Sequence, residues 1–419
     1  MANNRFIVLL NDQNEKSIKN VEKEFAVSVT SSEYLSKDNR SFNIIDNNNA
    51  VLYKNLGVVV VDDVDEKQLA MSLADKKSPV VYFEKERDFF TADETALIND
   101  LKTNVDKLKE KITELENFLR NKPIPQPVVT EMEWGLKAIG LGNTQFSGKG
   151  IDVCILDTGF DVSHPDFAGR TIEGKSFIAG EDWDKDVNGH GTHCAGIACG
   201  NVRTDTGKRY GIAKDCNLKI GKVLSNAGKG STSSIIDAID WAITKKFRII
   251  SLSLASPVKL NEKPSVLFET VGTRALDNNC LIIAAAGNES NRPALPAPVS
   301  APANSLSIMA VAAIDNQLRI ARFSNGGINA GTGGNINICA PGVDVLSAYP
   351  RKNGSASNYQ LLSGTSMATP HASGLAALYM EQFPDLNARE IWELLEDKAK
   401  LIGGLRYRDI GKGLIQVIS

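Results

Sequence analysis

The chain has 419 residues and a formal net charge of −3. That length exceeds one small hydrophobic core, so two or more compact units are expected. A charge this close to neutral offers no one-signed field for nucleic acid or a membrane surface, and no apolar run approaches the ~20 residues that span a bilayer. No nucleic-acid and no membrane partner is therefore expected.

The opening residues lead only into the short apolar run Phe6–Leu10, and no cleavage site of small residues follows it. This is too short for a secretory signal. The expected compartment is the cytoplasm, or the exterior if a secretory signal has been removed. Cys154, Cys194, Cys199, Cys216, Cys280 and Cys339 lie mostly in apolar or small-residue stretches, without a close metal-type pair. They read as buried free thiols in a reducing compartment.

Residues 1–90 mix strands with helices. Arg5–Asn11 reads as a strand and Glu15–Phe25 as a helix. Ala50–Asp62 holds the run Val58-Val59-Val60-Val61, Asp65–Ala74 reads as a second helix, and Pro79–Phe83 as a last strand. Two helices interleaved with strands predict a small α+β, ferredoxin-like domain. Residues 91–122 are densely charged and lack glycine, and Leu101, Val105, Leu108, Ile112, Leu115 and Leu119 fall on one helical stripe. A helix is predicted, either packed on its own protein or forming a seam for oligomerisation. Pro123-Ile124-Pro125-Gln126-Pro127 ends it, so 91–127 reads as a linker.

From 128 to 419 short apolar strands alternate with helices. Ile151–Leu156, Leu218–Leu224, Arg248–Leu254, Cys280–Ala286 and Ser307–Ala313 read as strands, and Ser233–Thr244 reads as a helix. The pattern predicts an α/β domain, with a mostly parallel sheet and helices on both faces. In such folds chemistry collects beyond the carboxyl ends of strands. There lie Asp157-Thr158-Gly159, then Asn188-Gly189-His190-Gly191-Thr192-His193-Cys194, then Gly287-Asn288. Last comes Gly364-Thr365-Ser366-Met367-Ala368-Thr369-Pro370-His371, a turn opening a helix that runs to about Glu381.

Serine, histidine and aspartate together suit nucleophilic catalysis. A serine hydroxyl needs an imidazole to take its proton, and the imidazole needs a carboxylate to fix its tautomer. A serine at a helix N-terminus also gains backbone donors for a developing oxyanion. Taken singly these residues have duller readings. Asp157 could cap a helix, Asn288 could be a strand-end turn residue, and His190, His193 and Cys194 could be part of a metal cluster, although no fourth ligand accompanies them.

The three motifs, in the order Asp, His, Ser, resemble those of the subtilisin-like serine peptidases; that order is the one known for subtilisin. His164-Pro165-Asp166, Lys222-Val223-Leu224, Ala285-Ala286-Gly287-Asn288, Ala340-Pro341-Gly342 and Gly411–Ile415 extend the likeness over about 130–419. The resemblance implies a serine endopeptidase acting on protein or peptide substrates, with Ser366 as nucleophile, His190 as base and acid, and Asp157 as its orienter. It implies Asn288 and the Ser366 N–H as oxyanion donors, and no cofactor for catalysis. His164, His193 and His371 read as structural, and Cys194 as a small buried residue beside His190. Ser253, Leu254, Ala255, Ala286 and Gly287 match the substrate-binding segments, although the family usually carries glycine where Ala255 and Ser256 stand. Asp166 matches a calcium-ligand position, whereas Asn201–Tyr210, with Asn201 and Asp205, departs from the usual calcium loop; a structural calcium stays open.

The N-terminal region resembles the family's inhibitory prodomain, which implies an intramolecular inhibitor. Tyr82–Phe90 would then approach the active site, with cleavage near Phe89-Phe90, near Asn121–Thr130, or nowhere. The alternatives to a self-inhibited endopeptidase are a dedicated processor of one partner and a non-catalytic binding module using the same cleft.

Overall fold

Five strands near the N-terminus form one sheet: β1 (Phe6–Leu10), β2 (Ser28–Ser31), β3 (Asn49–Tyr53), β4 (Val58–Val61) and β5 (Val80–Lys85), in the order β2-β3-β4-β1-β5. Helices α1 (Glu15–Phe25) and α2 (Glu66–Ala74) connect them. The structure is a computed structural model that describes residues 5–32, 49–92, 132–329, 333–351 and 357–418. The helix expected over 91–122 therefore lies outside the described residues, apart from Thr91 and Ala92. β1 pairs antiparallel with β4 and β5, and β3 with β4, giving the ferredoxin-like arrangement. The sequence reading missed β2, a polar edge strand parallel to β3.

Strand side chains alternate between faces, and here both faces are covered. Phe6, Val8, Leu10, Val59 and Val61 pack with Val21, Phe25 and Leu69 from α1 and α2. Ile7, Leu9, Val58 and Val60 join the core of the following domain instead. That division explains why Val58-Val59-Val60-Val61 is apolar without alternation.

The second domain carries a seven-stranded sheet of β7 (Asp152–Asp157), β8 (Glu173–Ser176), β9 (Asn217–Lys222), β11 (Ile249–Leu252), β13 (Leu281–Ala285), β14 (Met309–Ile314) and β15 (Ile338–Pro341). Its order is β15-β14-β13-β11-β7-β9-β8, and every pairing is parallel. The chain leaves β7 on one side toward β9 and returns on its other side to β11, so the carboxyl end of β7 is the switch point where such sheets open a crevice. Helices α3 (His190–Cys199), α4 (Thr232–Thr244), α5 (Val266–Asp277), α6 (Thr365–Gln382) and α7 (Ala388–Asp397) flank the sheet. α6 packs on β11, β13, β14 and β15 and against α3.

The two domains meet at the N-termini of α4 and α5. Glu86 Oε1 accepts from Ser233 N at 3.1 Å, and Ser265 Oγ, at the start of α5, donates to Glu84 Oε2 at 2.7 Å. Carboxylates there meet the positive ends of two helices. Arg87 adds an ion pair with Glu262 at 3.0 Å. Beyond it the chain forms β6 (Asp88–Thr91), inserted between β10 (Lys229–Ser231) and β12 (Leu254–Ala255). Among the described residues no helix is long and apolar enough to cross a membrane.

Candidate active site

Asp157 is the last residue of β7, and His190 is the first of α3. Their side chains, each 1% exposed, meet at 2.7 Å between Asp157 Oδ1 and His190 Nδ1. A carboxylate can only accept, so Nδ1 carries the proton and Nε2 is left as the basic nitrogen. Burial lowers the His190 pKa, but the Asp157 charge and Cys194 outweigh it and hold the pKa well above the ordinary histidine value.

The turn that aims His190 is built on Asp186, which the motif reading did not single out. Its Oδ1 accepts from Thr158 Oγ1 and Gly189 N, both at 2.9 Å; its Oδ2 accepts from Thr192 N and Thr192 Oγ1, both at 2.8 Å. One buried carboxylate thus ties the Asp157 turn to the His190 helix. A side chain at Gly191 would collide with Gly159 O, so glycine permits the backbones to approach this closely.

Ser366 lies in the first turn of α6, whose cap residue Gly364 offers no side chain. Pro370 sits four residues on and has no N–H, so it cannot bond the Ser366 carbonyl. That carbonyl accepts instead from Ser253 Oγ at 2.8 Å and Cys194 Sγ at 3.6 Å. The proline thereby frees an acceptor that joins the serine turn to β12's approach and to α3. Ser366 Oγ donates to Ser253 O at 3.0 Å, and His190 Nε2 makes no hydrogen bond among the described residues. Asn288 is held by its oxygen: Oδ1 accepts from Thr365 N and Thr365 Oγ1, both at 2.9 Å. Its Nδ2 is therefore turned outward as a donor.

A segment of the chain itself lies in this cleft. β6 pairs antiparallel with β10, Phe90 opposite Lys229, and with β12, Thr91 opposite Leu254. Thr91 N donates to Gly228 O at 3.2 Å and Ala92 N to Ser253 O at 3.3 Å. The Ala92 carbonyl accepts from Ser366 N at 3.2 Å and from Asn288 Nδ2. Phe89 is fully buried, edge-on to Phe268 with centroids 5.6 Å apart. Of the expected stretch Tyr82–Phe90, only its end enters the cleft. Tyr82 stays in β5, and the residue at the serine is Ala92, two past Phe90. Of the expected binding residues, Ser253 O accepts from Ala92 N, Leu254 pairs with Thr91 and Ala255 with Phe90, whereas Ala286 O accepts from Ser300 N and Gly287 N donates to Thr365 Oγ1. Gly228 and Lys229–Ser231, the other rail, carried no motif.

The remaining expected residues have other occupations. His164 Nε2 bonds Asn358 O at 2.8 Å, His193 Nε2 lies 2.9 Å from Gln360 O, and His371 Nδ1 lies 2.8 Å from Met367 O. Burial pulls His193 down to about 3 and His371 to about 4, so both rings are neutral. All six cysteines are free and buried. Asp157, His190 and Cys194 converge within 4.8 Å, and Asp157 Oδ1 and His190 Nδ1 bond each other through the Nδ1 proton. Burial also raises the Cys194 pKa, which keeps its thiol protonated.

The calcium position does not fit a cation. Asp166 Oδ1 accepts from Tyr359 OH at 2.8 Å and Thr204 N at 3.1 Å, and Oδ2 from Tyr210 OH at 2.8 Å. Asp205 is paired with Arg203 at 2.6 Å, whose guanidinium stacks 4.3 Å from the Tyr359 ring centroid. Donors of this protein fill the carboxylate that a metal would need, and Asn201 holds the loop through its backbone oxygen.

A parallel sheet with a serine, a paired histidine and an amide donor at its carboxyl edge defines a serine hydrolase of the α/β type. A family model described as the Subtilase family matches residues 148–413, and the chain belongs to that family. It is 35% identical to subtilisin DY of Bacillus licheniformis over 272 residues, 65% of this chain and 91% of that protein. It is 36% identical to subtilisin Savinase of Lederbergia lenta over 286 residues, 67% of this chain and 96% of that protein. With subtilisin E of Bacillus subtilis it shares 34% identity over 284 residues, 67% of this chain and 68% of that protein. The enzyme is a subtilisin-like serine endopeptidase, and its catalysis needs no cofactor.

Proposed function

We propose that this chain is a self-inhibited precursor of the peptidase, in which residues up to Ala92 act as an intramolecular inhibitor and Ala92–Asp93 is the bond cut on maturation. One observation carries the reading: the Ala92 carbonyl accepts from both Ser366 N–H and Asn288 Nδ2. Those two donors are the ones an oxyanion on that carbon would use.

In this reading the Ser366 hydroxyl turns from Ser253 O to His190 Nε2, gives up its proton there, and attacks the Ala92 carbonyl carbon. Asp157 holds the Nδ1 proton and stabilises the imidazolium. The bond to Asp93 then breaks, and the proton on Nε2 passes to the departing amine. Water cleaves the resulting Ala92–Ser366 ester with His190 as base, which restores the serine. Protein substrates would bind as the tail does, adding a strand between Gly228–Ser231 and Ser253–Ala255. The supporting energetics are the docked carboxylates Glu84 and Glu86 and the buried Phe89, which hold the tail in register.

Incubating the purified full chain and mapping new termini by mass spectrometry tests this. A new N-terminus at Asp93 is expected, absent in Ser366→Ala. Cleavage only elsewhere, or equal cleavage in Ser366→Ala, would refute it.

A further inference from the structure

We infer that the pocket receiving the residue before the scissile bond accepts small side chains, alanine foremost, and that Ala255 and Ser300 set this limit. The inference rests on the reading that Ala92 occupies the acyl side of the cut bond. Its backbone is pinned at both polar atoms, N–H to Ser253 O and carbonyl to Ser366 N and Asn288 Nδ2. The side chain is thereby directed between two walls, residues 253–256 and residues 285–288.

Ala255 and Ala285 narrow the space there. Ala92, 5% exposed, packs with Ala255 and Ala285 in one cluster of three methyl groups. The Ala255 methyl, packed on that of Ala92, fills room that a larger substrate side chain would take. The floor is a covalent segment stitched to both walls: Ser300 N donates to Ala286 O at 2.9 Å, and Ala301 and Ser256 exchange hydrogen bonds at 3.0 and 2.9 Å. A floor bonded on both sides has little freedom to retreat.

Behind Gly287 the floor is already filled. Ser300, fully buried, donates its Oγ to Glu289 Oε2 at 2.8 Å, and Asn325 Nδ2 donates to the same carboxylate and, at 3.2 Å, to Ser300 Oγ. A side chain on Gly287 would meet Asn325, Ser300 and Glu289 at once. A phenyl ring or long alkyl chain entering past the Ala255 methyl would have to break this polar cluster and leave its members unpaired. Both donors fall on Glu289 Oε2, which fixes that oxygen behind Gly287.

The test uses the full chain after incubation, its active sites counted by fluorophosphonate labelling, on blocked peptides Phe-Phe-Thr-Xaa ending in a chromogenic amide. With Xaa as Ala, kcat/KM is expected to exceed that for Leu, Phe or Lys by about 10- to 100-fold. Ala255→Gly is expected to shift the Phe-to-Ala ratio toward Phe by about tenfold. A wild-type ratio at or above one for Leu, Phe or Lys overturns the inference while leaving the precursor reading intact. Failure to hydrolyse any of the peptides would overturn the reading of the tail as a substrate, and the inference with it.

Discussion

Phe89 anchors the tail, and its removal has a size that can be worked from its surroundings. The ring is fully buried and meets Phe268 edge-on, at an interplanar angle of 75°. Burying a phenylalanine contributes about 2–3 kcal/mol, and the aromatic edge contact about 0.5–1.5 more. Phe89→Ala should therefore weaken the seated state by about 3–4 kcal/mol, in line with the usual cost of such truncations. The assay is hydrogen exchange in a Ser366→Ala background, where the tail stays uncut. The amides of Thr91 and Ala92 donate to Gly228 O and Ser253 O, so they exchange only when the tail lifts. They should exchange about 150- to 1,000-fold faster in the variant, whereas the amides of β11 should not change. An acceleration below about tenfold would show that Phe89 is not the anchor and that backbone pairing alone seats the tail.

Three further outcomes follow from the site and its surroundings. Because the base must be neutral, kcat/KM should fall about tenfold per pH unit below the raised pKa of His190, with one inflection; His193 and His371, near 3 and 4, should add no second inflection above pH 5 in a stopped-flow profile. Since donors of the protein fill Asp166, a chelator should leave the melting temperature unchanged within about 1 °C, whereas loss of a bound stabilising ion would lower it by several degrees. Burial, partly countered by Lys175 and reinforced by Asp240, pushes the Asp237 carboxyl up to about 7. The folded state then keeps a proton that the unfolded chain releases, so this contribution is full below about pH 4 and is lost as pH rises to about 7. Asp237→Asn should gain on the wild type by about 2–4 °C in melting temperature between pH 5 and pH 8, measured by calorimetry.

The sequence made legible whatever is local or repeated in pattern. Helix α1 falls at Glu15–Phe25 as read, because its apolar residues recur on one face and Asn14 caps it, accepting from Ser17 N. Five of the seven parallel strands, β7, β9, β11, β13 and β14, begin within two residues of their expected starts, since each carries a buried apolar run; β15 and the polar, half-buried β8 were not expected. Asp157, His190, Asn288 and Ser366 were legible as motif residues standing at strand and helix ends. Partnerships set by distant segments were not. Asp186 looks like any acidic loop residue until Thr158 and Thr192 fold onto it. The register that brings Ala92, rather than Phe89 or Phe90, to the serine depends on carbonyls at Gly228 and Ser253, more than 130 residues away. Ser300 likewise reads as a small loop residue until its backbone meets Ala286.

The pairing of β6 between two catalytic-domain strands also fixes how activation would depend on amount. If residues up to Ala92 act as the inhibitor, then while Ala92 and Asp93 are joined its local concentration would be set by the tether and not by the amount of protein. Severing that one bond removes no contact made by Glu84, Glu86, Arg87 or Phe89. It turns an intramolecular equilibrium into a bimolecular one, governed by how much protein surrounds the pair. A freshly cut enzyme would then stay silent where it is crowded and become active as it spreads, with dilution itself serving as the timer.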